Sequence, residues 1–212
     1  MLKFKIPLLA ALVTLAACIP YPETEFTASA DGISVVGLID DTTTENLQNA
    51  VSRNPQLDTI ILQHIPGSVD DEASLVELSR FIRSNHLTTR VPSDGLVASG
   101  GTDMVVMGAR RIIEPGACIG VHTWSAGFII SDIIVGSELS RDDPEHELYL
   151  AFYREMGIDE DFYWFTLNAA GPDEAHWMSP EEINRFNLST VPVRDTLRET
   201  PQQRQRRCDL RL

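Results

Sequence analysis

The stretch from Val97 to Trp124, VASGGTDMVVMGARRIIEPGACIGVHTW, constrains this chain more than any other. It opens on a corner of small residues, Ala98-Ser99-Gly100-Gly101, and runs into an apolar helical segment, Met104 to Met107. After a turn at Pro115-Gly116, a short strand from Cys118 to Val121 delivers His122. A serine at a helix start has its hydroxyl beside unpaired backbone N–H groups and the positive end of the helix dipole. An oxyanion is stabilised at such a place, and a histidine on the next strand is placed to act as base. Ser99 and His122 are therefore the candidate nucleophile and base.

The preceding chain alternates strand and helix. Ile33 to Asp40 is a β-branched run suited to a buried strand. A helix follows from Thr43 and Thr44 to about Asn54, with Leu47, Ala50 and Val51 at helical spacing and Pro55 as the stop. Thr59 to Gln63 is a second strand, ending at His64-Ile65-Pro66-Gly67-Ser68. A long amphipathic helix then spans about Asp70 to Ser84, with Leu75, Leu78, Phe81 and Ile82 as its apolar stripe. Thr88 to Val91 is a third strand. Three such alternations predict a parallel sheet covered by helices, with ligands bound beyond the strands' carboxyl ends. The Ser68 turn and the Ser99 corner both lie at such ends.

Beyond His122, Phe128 to Val135 fits either strand or helix. Helices are expected from Asp143-Pro144 to Met156, over Asp161 to Ala170, and after Ser179-Pro180-Glu181-Glu182, which has the form of a capping box. Phe162, Trp164, Phe165 and Trp177 read as core.

A chain of 212 residues suits one domain. Its formal charge of −14 leaves no electrostatic footprint for nucleic acid. Lys3 and Lys5 precede an apolar run from Ile6 to Ala17 that ends Leu15-Ala16-Ala17-Cys18, the pattern of a secretory signal. That ending resembles the bacterial lipobox, which implies removal of residues 1–17, lipidation of Cys18 and a periplasmic address at the outer membrane, with the lipid as the sole membrane attachment. Residues 18–31 are expected to form a tether, 32–192 the domain, and 193–212 a charged, poorly ordered tail. Cys118 and Cys208 would pair in an oxidising compartment, but their spacing decides nothing, and unpaired thiols are the reading taken. His64, His86, His146 and His176 share no metal-ligand spacing, so no metal or cofactor is expected. Arg110-Arg111 is assigned to a helix C-terminus.

Taken together, these pieces resemble the Clp protease proteolytic subunit within the ClpP/crotonase superfamily, over about Ile33 to Thr190. The resemblance rests on Ile65-Pro66-Gly67-Ser68 before a long helix, on Ala98-Ser99-Gly100-Gly101 through Gly108, on Arg111 to His122, and on Trp177 to Glu182. It implies a single α/β domain, a spiral of mostly parallel strands with flanking helices. Ser99 is then the nucleophile, His122 the general base, and the N–H groups of Ser68 and Gly100 the oxyanion hole. Asp173 is assigned as the orienting acid, with Glu174 beside it and Ala175 at the aligned position. The expected activity is hydrolysis of a peptide or other acyl substrate, without a cofactor. A homo-oligomer is left open, and no ATP-driven unfoldase is expected in the periplasm. A Ser–Lys mechanism is not expected either, since Lys3 and Lys5 are the only lysines. The alternatives are a non-catalytic binding or scaffold lipoprotein on the same fold and, further off, an acyl-CoA enzyme.

Overall fold

Short β-branched strands that alternate with amphipathic helices bury both faces of a mostly parallel sheet, and the chain does so as one α/β domain. The computed structural model describes residues 23–69, 72–126 and 133–212. Strands β1 (Glu25–Ser29) and β2 (Gly32–Val36) form an antiparallel hairpin, followed by helix α1 (Thr43–Arg53). Strand β3 (Thr59–Ile65), helix α2 (Glu72–Ser84), strands β4 (Thr88–Val91) and β5 (Leu96–Ala98), and helix α3 (Gly100–Met107) come next. Strands β6 (Arg110–Ile113) and β7 (Cys118–Val121) complete the parallel part.

β3 is the branch point. Its first half pairs with β4, which continues to β6, and its last two residues pair with β5, which continues to β7. The outer pairings, β1 with β2 and β7 with β10 (His176–Trp177), are antiparallel. A small hairpin of β8 (Ser125–Ala126) and β9 (Ile134–Val135) follows His122. Helices α4 (Glu145–Glu155), α5 (Glu160–Ala169), α6 (Pro180–Arg185) and α7 (Pro201–Asp209) finish the chain. α6 opens with the capping box expected at Ser179.

The core joins Leu47, Leu78 and Ile82 of α1 and α2, Met104 to Met107 of α3, and Phe162 and Tyr163 of α5. Each large side chain buried this fully contributes about 1.5–3 kcal/mol. Gly101 is the tightest contact in it. A methyl group there would lie 2.1 Å from the Ile65 carbonyl oxygen. Gly101→Ala is therefore expected to cost on the order of 3 kcal/mol by forcing α3 off the end of β3, which urea unfolding would measure.

Several expectations are corrected. The tether expected over 18–31 ends early, because β1 begins at Glu25 and pairs with β2; the turn at Ala30-Asp31 leads into Gly32 at φ +142°. The tail of 193–212 is not poorly ordered. Thr200 caps α7 with Gln203 in a second capping box, and Arg207 makes a two-pronged ion pair with Glu199. Cys118 and Cys208, read as unpaired, form a disulfide, because α7 lies against the reverse face of β5, β7 and β10. Arg111 lies in β6 and not at a helix end; its guanidinium donates to the carbonyls of Leu188, Asn187 and Gly108. The signal segment and Cys18 lie outside the described residues, as do residues 128–132 of the ambiguous apolar run.

Candidate active site

The sheet register brings the two principal candidates together. Ala98 at the end of β5 pairs with Gly120 of β7, and the Ser99 N–H donates to the Gly120 carbonyl at 3.2 Å. Ser99 and His122 thus each follow the carboxyl end of one of two adjacent parallel strands. Ser99 is the N-cap of α3 and has φ +53° and ψ −126°, a region L-residues avoid. A strained serine on a strand-to-helix turn projects its hydroxyl clear of its own backbone, as a nucleophile requires. The strain is held in place from several sides. The carbonyl of Ser99 accepts from the N–H groups of Thr102 and Asp103, and the Thr102 hydroxyl donates to the Gly120 carbonyl at 2.7 Å.

The Gly67-Ser68 turn closes the other side. A methyl group on Gly67 would lie 3.9 Å from Ser99 Cβ, and one on Gly100 would lie 2.7 Å from Ser68 Cβ. Ser68 bridges to Ile39 through its neighbours only: Gly67 accepts from Ile39 N–H and Val69 donates to the Ile39 carbonyl. The N–H of Ser68 consequently points away from that bridge. Neither it nor the N–H of Gly100 donates to an acceptor among the described residues. Two unspent donors flanking the serine are what a developing oxyanion needs. Gly100→Ala would push Ser68 out of place, and a loss of about 10²-fold in kcat with little change in KM is expected, as for removal of one oxyanion donor.

His122 is half-buried, and its Nδ1 lies 2.7 Å from the Thr123 carbonyl oxygen. A carbonyl only accepts, so Nδ1 carries the proton and Nε2 is left with the free lone pair. The Thr123 carbonyl thereby fixes the tautomer and the orientation of the imidazole. Asp173 does not do it: that residue is exposed in the turn before β10 and makes no hydrogen bond among the described residues. Glu174 is exposed as well. No hydrogen bond joins the Ser99 hydroxyl to His122 in this structure.

The segment carrying Thr123 is firmly held. Its N–H donates to the Ala170 carbonyl and its hydroxyl accepts from Ser137 N–H. Next to it, Trp124 Nε1 donates to the Tyr163 hydroxyl at 2.9 Å, and that hydroxyl lies 2.7 Å from His146 Nδ1. His146 Nε2 faces the Ser140 carbonyl, so it bears the proton, and Nδ1 accepts from Tyr163. Burial pushes the Tyr163 phenol up to about 12, the Trp124 hydrogen bond pulling the other way, which keeps it a donor. Trp124, Tyr149 and Tyr163 also stack face to face. No motif in the sequence announces this relay, because its members are 39 and 17 residues apart along the chain. Tyr163→Phe leaves the buried His146 Nδ1 and the half-buried Trp124 Nε1 unpaired and is expected to cost about 2–4 kcal/mol in urea unfolding.

One acidic group stands near the corner. Asp103 is half-buried in the first turn of α3, and Tyr153 of α4 donates to its Oδ1 at 2.6 Å. Burial raises its carboxyl to about 6, against the smaller lowering by the Tyr153 hydrogen bond. Folding thus disfavours its charged form, so stability falls as pH rises from the ordinary aspartate value through about 6. Asp103→Asn is expected to raise Tm by a few degrees at pH 7.5, at roughly 2–4 °C per kcal/mol, and to have no such effect at pH 4. Thermal melts at the two pH values check it.

The architecture is a single α/β domain, a mostly parallel sheet with flanking helices, and solved proteases share that fold. No family model matches the chain, and no curated protein sequence matches it. Among solved structures, it is similar to the 1510-N membrane-bound stomatin-specific protease in a serine-to-alanine mutant form. The TM-score is 0.52 at 16% identity, over 80% of this chain and 83% of that one. A lysine-to-alanine mutant of the same protease in complex with a substrate peptide gives TM-score 0.52 at 16% identity, over 82% and 81% of the two chains. The 1510-N membrane protease specific for a stomatin homolog from Pyrococcus horikoshii gives TM-score 0.50 at 16% identity, over 77% and 72%. This likeness is one of fold. The described residues here contain no lysine, so the lysine altered in that mutant has no counterpart among them.

Proposed function

We propose that the chain is a serine hydrolase of the bacterial envelope that cleaves peptides or related acyl substrates. The observation that carries the reading is the placement of Ser99 and His122 at the ends of adjacent parallel strands, with the N–H groups of Ser68 and Gly100 unspent beside the serine. In the reaction, His122 Nε2 takes the Ser99 proton as Oγ adds to the acyl carbon. The carbonyl oxygen gains the negative charge and is held by the two N–H groups. Collapse of this adduct breaks the bond to the leaving group, which receives the proton from His122, and an acyl-serine remains. Water attacks it with His122 again as base, and the acid product leaves with Ser99 restored. No cofactor enters. Of the acids considered, neither Asp173 nor Glu174 is required, because Thr123 already fixes the imidazole tautomer.

The address is part of the same proposal. Lys3 and Lys5, the apolar run to Ala17 and Cys18 support a lipidated periplasmic protein, and a disulfide belongs in an oxidising compartment. Labelling with an alkyne fatty acid should be lost in Cys18→Ala. Self-association is compatible with this reading, whereas an ATP-driven partner is not expected in the periplasm.

The second reading is a binding or scaffold lipoprotein. It is favoured by the exposed Asp173 and by the missing Ser99–His122 hydrogen bond. A fluorophosphonate probe separates the two. Labelling of the natural protein that disappears in Ser99→Ala is expected; equal labelling of both, or labelling of neither across pH 6–9, returns the chain to the scaffold reading.

A further inference from the structure

Asp103 has no role in the proposed chemistry, yet it lies close to it. Four residues separate it from Ser99, which puts the two on one face of α3, about 6 Å apart along the axis. Its N–H donates to the Ser99 carbonyl at 3.2 Å, so the two residues are stacked one helical turn apart. α3 meets the sheet through Gly101, against Ile65, on the side opposite Asp103, and through Thr102, bonded to Gly120, on an adjoining one. Asp103 instead faces α4, where Tyr153 takes up Oδ1. The second oxygen, Oδ2, accepts no hydrogen bond from a described residue and is not sealed from solvent.

No cation answers this carboxylate among the described residues. Arg83 of α2 is committed to the carbonyls of Val106 and Met156, and Arg80 pairs with Glu155 of α4. A partly desolvated carboxylate without a positive partner costs stability, and that cost is recovered when a ligand brings the charge. Tyr153 also fixes the carboxylate's orientation, leaving Oδ2 as the free acceptor.

We propose that Asp103 is the specificity group of this hydrolase and receives a guanidinium or ammonium group of the substrate, carried close to the bond that Ser99 attacks. The substrate class is therefore a peptide or acyl compound with a basic side chain beside the scissile carbonyl. This rests on the reading of Ser99 as nucleophile, but the cation site is testable without it.

The kinetic test uses matched fluorogenic peptides that differ only in arginine or citrulline before the scissile bond, since citrulline keeps the shape and loses the charge. The natural protein should favour arginine by about 10- to 100-fold in kcat/KM, the range of a partly desolvated charge pair. Asp103→Asn should bring that ratio to about one, and Asp103→Glu should restore part of it. A purely structural defect lowers both substrates alike and leaves the ratio standing. A ratio near one in the natural protein, or one that survives Asp103→Asn, overturns the proposal. The second arm is calorimetric binding of benzamidine to the full chain carrying Ser99→Ala, expected to be lost when Asp103→Asn is added. Benzamidine binding without phosphonate labelling would reject the nucleophile and keep the cation site. Labelling without binding or arginine preference would reject the cation site alone.

Discussion

Replacing His122 with alanine is expected to lower kcat/KM for an acyl substrate by about 10⁴-fold or more, as far as Ser99→Ala does, while Asp173→Asn stays within about twofold. The first half follows from shared work: a serine hydroxyl at neutral pH is a poor nucleophile unless a base removes its proton as it attacks. The double variant should be no worse than either single one, because residues that act as a unit are not additive. The second half follows from the Thr123 carbonyl at 2.7 Å from His122 Nδ1. In a carboxylate-dependent triad, neutralising the acid costs about 10⁴-fold, since the histidine is then left in the wrong tautomer. Here a backbone group sets the tautomer, and no side-chain substitution removes it. Steady-state kinetics on the four variants decide the matter, and a 10⁴-fold loss in Asp173→Asn would return the acid to the exposed turn.

Opening the disulfide is the second large effect. Cys118 and Cys208 close a loop over 90 residues of sequence, for which the chain-entropy model gives about 4–5 kcal/mol. At roughly 2–4 °C per kcal/mol, Cys208→Ser should lower Tm by about 10 °C or more. α7 also supplies Asp209, which accepts from Trp177 Nε1, and Arg207, which donates to the Gly116 carbonyl and reaches Cys118 Sγ. Detaching the helix would expose Trp177 and red-shift its fluorescence. A free-thiol count that rises by two when the unfolded protein is reduced checks the bond itself; Tm unchanged in Cys208→Ser would show that the bond does not hold α7.

The contrast between α6 and α7 shows how sequence signals are lost. Both helices begin with a capping residue, a proline and a reciprocal glutamate or glutamine, at Ser179 and at Thr200. The first was read from its capping box, inside the segment assigned to the domain. The second lies in a basic stretch with almost no apolar stripe, so its cap alone did not argue for order. What orders it is a covalent bond and contacts with residues some 90 positions earlier, which leave no periodicity in the local sequence. β1 was missed for a related reason: an edge strand with one half-buried residue, Phe26, looks like any polar segment.

By itself the sequence determined the parallel α/β layering, since buried strands must be β-branched and their covering helices amphipathic. It also determined the Ser99 corner, since only small residues let a helix start so close to Ile65 and Ser68. Tertiary structure alone decided which group orients His122, how the cysteines pair, and that Asp103, beside Ser99, has no cationic partner among the described residues. Each of these depends on distance in space between residues remote in the chain, or on the direction of a backbone carbonyl, and neither quantity is written in the order of side chains.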